Sequence, residues 1–156
     1  GVDAQILNLQ NLPAEIYLPE AYAEKPEAFK PFQDRILAAD GLHVVTPEYN
    51  GSVSGVLKYF IDMLQFPESF ESRCVAFTGI AAGVWGGLRP CEQLQMVFGY
   101  RNALVCPQRV FVNGIYQKLQ DGKITDEQTN KFIDAQVDGF ISFVERNKDF
   151  QMPVVK

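Results

Sequence analysis

Two stretches carry residue types that can do chemistry beyond folding. Residues 46–55 read TPEYNGSVSG, and residues 78–90 read TGIAAGVWGGLRP. In the first, Glu48, Tyr49 and Asn50 set a carboxylate, a flat ring and an amide between Pro47 and Gly51. A strand end stiffened by proline presents backbone N–H and C=O groups at fixed angles. Such groups suit a flat heterocycle with donors and acceptors along its edge. Tyr49 can stack on that ring, and Ser52 can cap the helix that follows. In the second stretch, Gly79, Gly83, Gly86 and Gly87 bring bare backbone close to a ligand. Their spacing is neither GxGxxG nor the P-loop pattern, so composition by itself names no ligand.

These loops need elements to position them. AQILNL (4–9) reads as a short strand, and residues 13–27, with Pro13, Pro19 and Pro26, read as a loop. EAFKPFQDRILAAD has Phe29, Phe32, Ile36 and Leu37 on one helical stripe, with Pro31 in its first turn and Gly41 as its C-terminal cap. LHVVT (42–46) is a nearly continuous apolar strand of the kind covered on both faces. VLKYFIDML is helical with two apolar stripes. Val56, Leu57, Phe60, Ile61 and Leu64 form one; Tyr59, Met63 and Phe66 form the other. The second stripe faces either a partner subunit or another layer of the same chain.

CVAFTG (74–79) is a further buried strand, and CEQLQMVFGYRN a helix opened by Pro90. ALVCPQRVFV (103–112) contains Pro107, which lacks the ladder N–H, so it reads as an edge or broken strand. Thr125–Gln128 form a capping box for a last helix with Phe132, Ile133, Val137, Phe140, Ile141 and Val144 inward. The tail after Asn147 reads as loop. Strands and helices alternate strictly, which implies an α/β fold with a parallel sheet and helices on both faces. Ligands of such folds sit beyond the carboxyl ends of the strands. Both unusual loops lie there.

Composition bounds the function. A chain of 156 residues fits one domain. A net charge of −5 argues against a general nucleic-acid surface. No apolar stretch reaches the roughly 20 residues of a membrane span. Cys74, Cys91 and Cys106 match no zinc pattern and no disulfide framework, as expected of a reduced, cytoplasmic protein. One histidine, His43, leaves no material for a His metal cluster and reads as a packing residue. Trp85 covers a ligand, serves an interface or simply packs. Arg89 reads as a surface ion pair or a phosphate contact. Cys91, at a helix start, reads as buried rather than reactive. Lys58 and Asp62 read as a solvated pair.

TPEYNGSVSGVLKYFIDML resembles the signature of the NADPH-dependent FMN reductase family, whose usual form is close to TPEYNGSIPGVLKNAIDWL. The resemblance runs through DRILAADGLHVV, GIAAGVWGGLR, CPQRVFV and DGKITDEQTNKFI, and covers about residues 4–145. It implies a flavodoxin-like three-layer sandwich. It also implies an enzyme that passes a hydride from NADPH or NADH to bound FMN, and thence electrons to quinone, azo, metal or free-flavin acceptors. Pro47, Glu48, Tyr49 and Asn50 would line the flavin ring, and Ala81, Ala82 and Gly83 would approach its other edge through backbone. No catalytic side chain and no metal ligand is implied. A homodimer or homotetramer joined through helix 55–65 is.

This chain has Ala81 and Ala82 where the family is richer in Ser and Gly, and Ser54 where it has Pro. The family opens with a strand and a Ser/Thr/Arg-containing loop that holds the FMN phosphate; GVDAQILNL matches its second strand. Residues 1–156 are therefore expected to be one such domain, N-terminally incomplete and without that first strand and loop. Against this stands an alternative, a flavodoxin-like interaction module that no longer binds or turns over flavin.

Overall fold

A computed structural model describes residues 1–153. Three parallel strands form the main sheet in the order β1 (Gly41–Pro47), β2 (Cys74–Ile80), β3 (Leu104–Val112). Helices α1 (Lys30–Ala38), α2 (Gly55–Met63) and α3 (Leu88–Tyr100) precede or link the strands, and α5 (Glu127–Asn147) closes the chain's regular structure. Between β3 and α5 lie the short helix α4 (Ile115–Lys118) and a small antiparallel pair, β4 (Leu119–Gln120) and β5 (Lys123–Ile124).

The sheet separates two cores. Val75 and Phe77 of β2 pack with Leu57, Phe60 and Ile61 of α2, Cys91, Leu94 and Phe98 of α3, and Phe29 and Ile36 near α1. Ala76 and Cys74 of β2 and Cys106 of β3 pack against Phe140 of α5 on the other face. This is the three-layer α/β arrangement expected from strict alternation. Residues 74–79 of β2 are all buried, as a central strand with both faces covered requires.

Several expectations are corrected. AQILNL is not a strand: residues 1–8 have no regular structure, and a 3-10 turn follows at Leu9–Asn11. No described strand lies beside this segment, so its N–H and C=O groups have no ladder to join. The proline-rich loop is a run of 3-10 turns at Ala14–Tyr17, Pro19–Tyr22 and Glu27–Phe29. Gly41 does not cap α1, which ends at Ala38 with Ala39 as cap. It starts β1 instead, where a Cβ would stand 2.7 Å from a Val144 methyl of α5. The second face of β1 is only partly covered: Gly41 and the His43 ring meet α5, but His43 and Val45 stay exposed.

The last helix is capped by Asp126, whose carboxylate accepts from Thr129 N at 2.8 Å, while the Thr125 hydroxyl donates to the Lys118 carbonyl. Phe132 and Val137 are exposed on α5, because its inner stripe runs through Thr129, Gln136 and Phe140. The second stripe of α2 is covered within the chain at two of its three residues: Met63 is buried, and Tyr59 donates to the Ile16 carbonyl at 2.6 Å and lies 5.1 Å from the Tyr17 ring, while Phe66 stays exposed.

Candidate functional site

The sheet delivers both unusual loops to one place. Glu48 N donates to Ile80 O at 3.1 Å, one step past the β1–β2 ladder. Ala81 N donates to Val112 O at 3.0 Å, and Ile115 N to Ala81 O at 3.2 Å. Between the loops lies a cleft of about 230 Å³ lined by Glu48, Gly51, Ala81, Ala82, Gly83 and Trp85. It lies beyond the carboxyl ends of β1 and β2, the position expected for ligands of parallel sheets.

The first loop is a tight hairpin turn. Tyr49 N donates to Ser52 O and Ser52 N to Tyr49 O, each at 3.0 Å, with Asn50 and Gly51 at φ 52° and 69°. Asn-Gly is the pair that tolerates two left-handed residues in succession. Ser52 does not cap α2; Ser54 holds the cap position. The Ser52 hydroxyl instead donates to Gln93 Oε1 at 2.8 Å, and Val53 N donates to the same oxygen at 3.2 Å. One amide of α3 thus clamps the turn.

The second loop is held by backbone contact. Gly79, at the end of β2, lies so close to Gly87 that any Cβ would overlap the Gly87 carbonyl. Gly87 itself has φ 84°, and its own Cβ would stand 2.5 Å from Ile80 N. The loop from Ile80 to Gly86 is a closed arch whose feet touch, and α3 starts from its far foot.

Glu48 is the one lining side chain with an acceptor, because Trp85 offers only its indole N–H. Its Oε2 is shut off from solvent and has no hydrogen-bond partner. An orphaned carboxylate oxygen costs about 1–3 kcal/mol or more. Its charge also reaches Cys91 in the first turn of α3. Burial pushes that thiol up to about 11, with Arg109 opposing and Glu48 and Glu92 adding to the rise. Cys91 is fully buried and inert, as expected.

Of the residues singled out in the sequence, Glu48, Ala81, Ala82 and Gly83 meet at the cleft. Pro47 ends β1, and Tyr49 and Asn50 are exposed on the turn between Glu48 and Gly51, at the edge of the cleft. Trp85, 66% exposed, is a lining residue, as is Gly51. Gln93, which fixes the first loop, carried no signal in the sequence. Arg89 is exposed, with no ion pair among the described residues. Lys58 and Asp62 form the expected exposed pair at 2.7 Å. No group of three or more His, Cys, Asp or Glu among the described residues could hold a metal. The donor set is therefore bare backbone, one carboxylate and one indole. It fits a planar heterocycle with an N–H edge. The cleft is smaller than the roughly 300–1,000 Å³ of a pocket that swallows a whole ligand, so it suits a ring laid against the wall.

Comparison with known proteins bears on the same point. The NADPH-dependent FMN reductase family matches residues 1–117. A quinone reductase of Escherichia coli (strain K12) is 32% identical over 144 residues, 86% of this chain and 77% of its own length. An NADPH azoreductase of Bacillus sp. (strain OY1-2) is 32% identical over 123 residues, 78% of this chain and 65% of its own. The structure of a flavoenzyme NAD(P)H:(acceptor) oxidoreductase from Paracoccus denitrificans superposes with a TM-score of 0.72 at 26% identity, covering 92% of this chain and 80% of that one. With the alternating fold, the strand-end cleft and these matches together, the chain belongs to the NADPH-dependent FMN reductase family and is an FMN-dependent oxidoreductase that uses NAD(P)H.

Proposed function

We propose that the cleft between residues 48–51 and 81–85 seats the isoalloxazine ring of FMN, and that the enzyme's acceptors are quinones or azo compounds. The observation that carries the ring's placement is the meeting of Glu48 with the bare backbone of Ala81, Ala82 and Gly83 at one cleft beyond the strand ends. Backbone N–H groups suit the ring's carbonyls, and a carboxylate suits its N–H edge. Bound FMN would supply the redox chemistry, taking two electrons from NAD(P)H and handing them on. The protein's own work is to orient the ring and leave one face open. Trp85 stands at the mouth, where an aromatic plane favours flat acceptors. The acceptor classes are those of the named relatives.

The finer assignments extend this reading. Pro47, Tyr49 and Asn50, on the same strand end and turn as Glu48 and Gly51, flank the ring, Tyr49 with its exposed side chain. The chains associate as a homodimer or homotetramer through the outer side of α2, supported by the exposed Val56 and by Phe66, which is 53% exposed just beyond the helix. The enzyme works in a reducing compartment, the cytoplasm; three free, buried cysteines support this. No helix among the described residues is long and apolar enough to cross a membrane.

The test is titration of the protein with FMN and, in parallel, riboflavin, followed by quenching of flavin fluorescence. NADPH and then a benzoquinone or an azo dye are added under nitrogen. Binding, bleaching by NADPH and recovery on adding acceptor are expected. A ring held mainly by the cleft makes the two flavins bind alike. Absence of binding to either flavin would refute the enzyme reading and leave an interaction module.

A further inference from the structure

Gln136 lies in the middle of α5 with no exposed surface, an unusual place for an amide. Its Nε2 donates to Phe77 O at 2.8 Å and to Gln108 O at 3.1 Å. Carbonyls cannot donate, so the orientation of the amide is fixed and Oε1 is the acceptor. That oxygen takes the Thr78 hydroxyl proton at 2.6 Å. The hydroxyl has one hydrogen, so its oxygen must accept from His43 Nε2–H, 2.8 Å away. One directed chain of hydrogen bonds therefore crosses β1, β2, β3 and α5.

It crosses where the sheet is weakest. Along β2 and β3 the pairing passes from Val75↔Val105 to Phe77↔Arg109, so two steps on β2 face four on β3. Pro107 sits in that slip and removes one N–H. The Gln136 amide reaches a carbonyl on each strand at this point. One residue past Thr78 comes Gly79, the near foot of the arch that forms the cleft's second wall.

We propose that Gln136 is a positioning residue for the flavin cleft: it locks the irregular β2–β3 junction so that residues 79–83 keep their register beside Glu48. Its binding arm rests on the FMN reading above; its main arm does not. A merely stabilising residue would loosen every part of the fold alike. A positioning residue loosens the cleft first.

The experiment is amide hydrogen exchange of the flavin-free protein by NMR. The reporters are Glu48, Ala81 and Ile115, with Leu94 and Phe98 in α3 as reference. Gln136→Met keeps the volume and removes every hydrogen bond. It should speed exchange at the reporters by about tenfold relative to α3, the size of one net hydrogen bond. Equal acceleration at reporters and reference would overturn the proposal.

Thr78→Val should raise the same ratio, and Thr78→Ser should leave it unchanged. These variants decide the matter if Gln136→Met does not fold. Gln136→Glu adds a signature that packing alone cannot produce. Its protonated acid can still donate to one carbonyl, whereas its carboxylate faces both without a proton. The ratio should therefore climb with pH in that variant only. The other titratable side chains on this face are His43 on β1, Cys74 on β2 and Cys106 on β3. A flat ratio in Gln136→Glu would count against the proposal. FMN affinity of Gln136→Met should fall about tenfold. If the unmodified chain binds no FMN, the cofactor placement fails while the exchange ratio still decides the role of Gln136.

Discussion

The two walls of the cleft are built in opposite ways. Residues 48–53 are held by directed hydrogen bonds: two across the Asn50–Gly51 turn and two more onto the Gln93 side chain. Residues 79–87 are held by contact between glycine backbones, with no space for a single Cβ at either foot of the arch. A hydrogen-bonded loop can lose one bond and relax. A close-packed arch cannot accept one extra atom without moving a strand or a helix. The first wall therefore tolerates change that the second does not.

Substitutions should expose that asymmetry. Gly79→Ala drives a methyl into the Gly87 carbonyl. It should cost about 3 kcal/mol in urea unfolding and abolish flavin binding. An unchanged midpoint would mean that the arch yields easily, and the contrast would collapse. Gln93→Leu removes the clamp of the first wall and leaves the Ser52 hydroxyl and Val53 N–H without their acceptor. We expect a loss of about 1–2 kcal/mol, with weaker FMN binding in a protein that still folds. Gly51→Ala meets nothing within 4 Å, although φ is 69°. Only left-handed strain remains, about 1 kcal/mol, and the thermal midpoint should fall least among the three.

A smaller effect tests the sheet behind both walls. His43 is exposed at its outer edge, but its ring lies against Thr78 and Phe140; that local desolvation lowers its pKa from the ordinary 6.5, and the Gln136 side chain opposes the shift. The unfolded chain then holds the imidazole proton at pH values where the folded chain has released it. Stability consequently rises with pH through the window just below 6.5 and is lost as the pH drops through it. Urea midpoints measured between acid and neutral pH should show this slope in the unmodified protein. His43→Gln should flatten it.

Much of the cleft was legible because its signals are local. Asn50–Gly51 announces a turn, glycines announce close backbone approach, and strand order places both loops at the same end of the sheet. Lining by Gly51 carried no such signal, and Trp85 had three readings until the arch placed it. The inner face of α5 was read correctly at Phe140 and Val144 but misplaced at two positions, for a specific reason. Apolar periodicity chose Phe132 and Val137 for the inner stripe, but Thr129 and Gln136 occupy it. A pattern of apolar residues cannot register an amide whose partners are carbonyls on two strands far away in sequence. AQILNL failed differently: a strand propensity is expressed only beside a neighbour that completes its ladder.

By itself, the sequence determined the alternation of strands and helices, hence a parallel sheet with its chemistry at the strand ends. It also determined the turn at Asn50–Gly51 and the family. These follow from periodicity, backbone preference and short motifs, each contained within a few adjacent residues. The tertiary structure alone decided that Gln136 sits on the buried face of α5, that Gln93 clamps the first wall, that Gly79 and Gly87 touch, and that Glu48 keeps an unpaired oxygen. Each of these depends on groups brought together from distant parts of the chain, where a buried donor or acceptor must find its partner or remain without one.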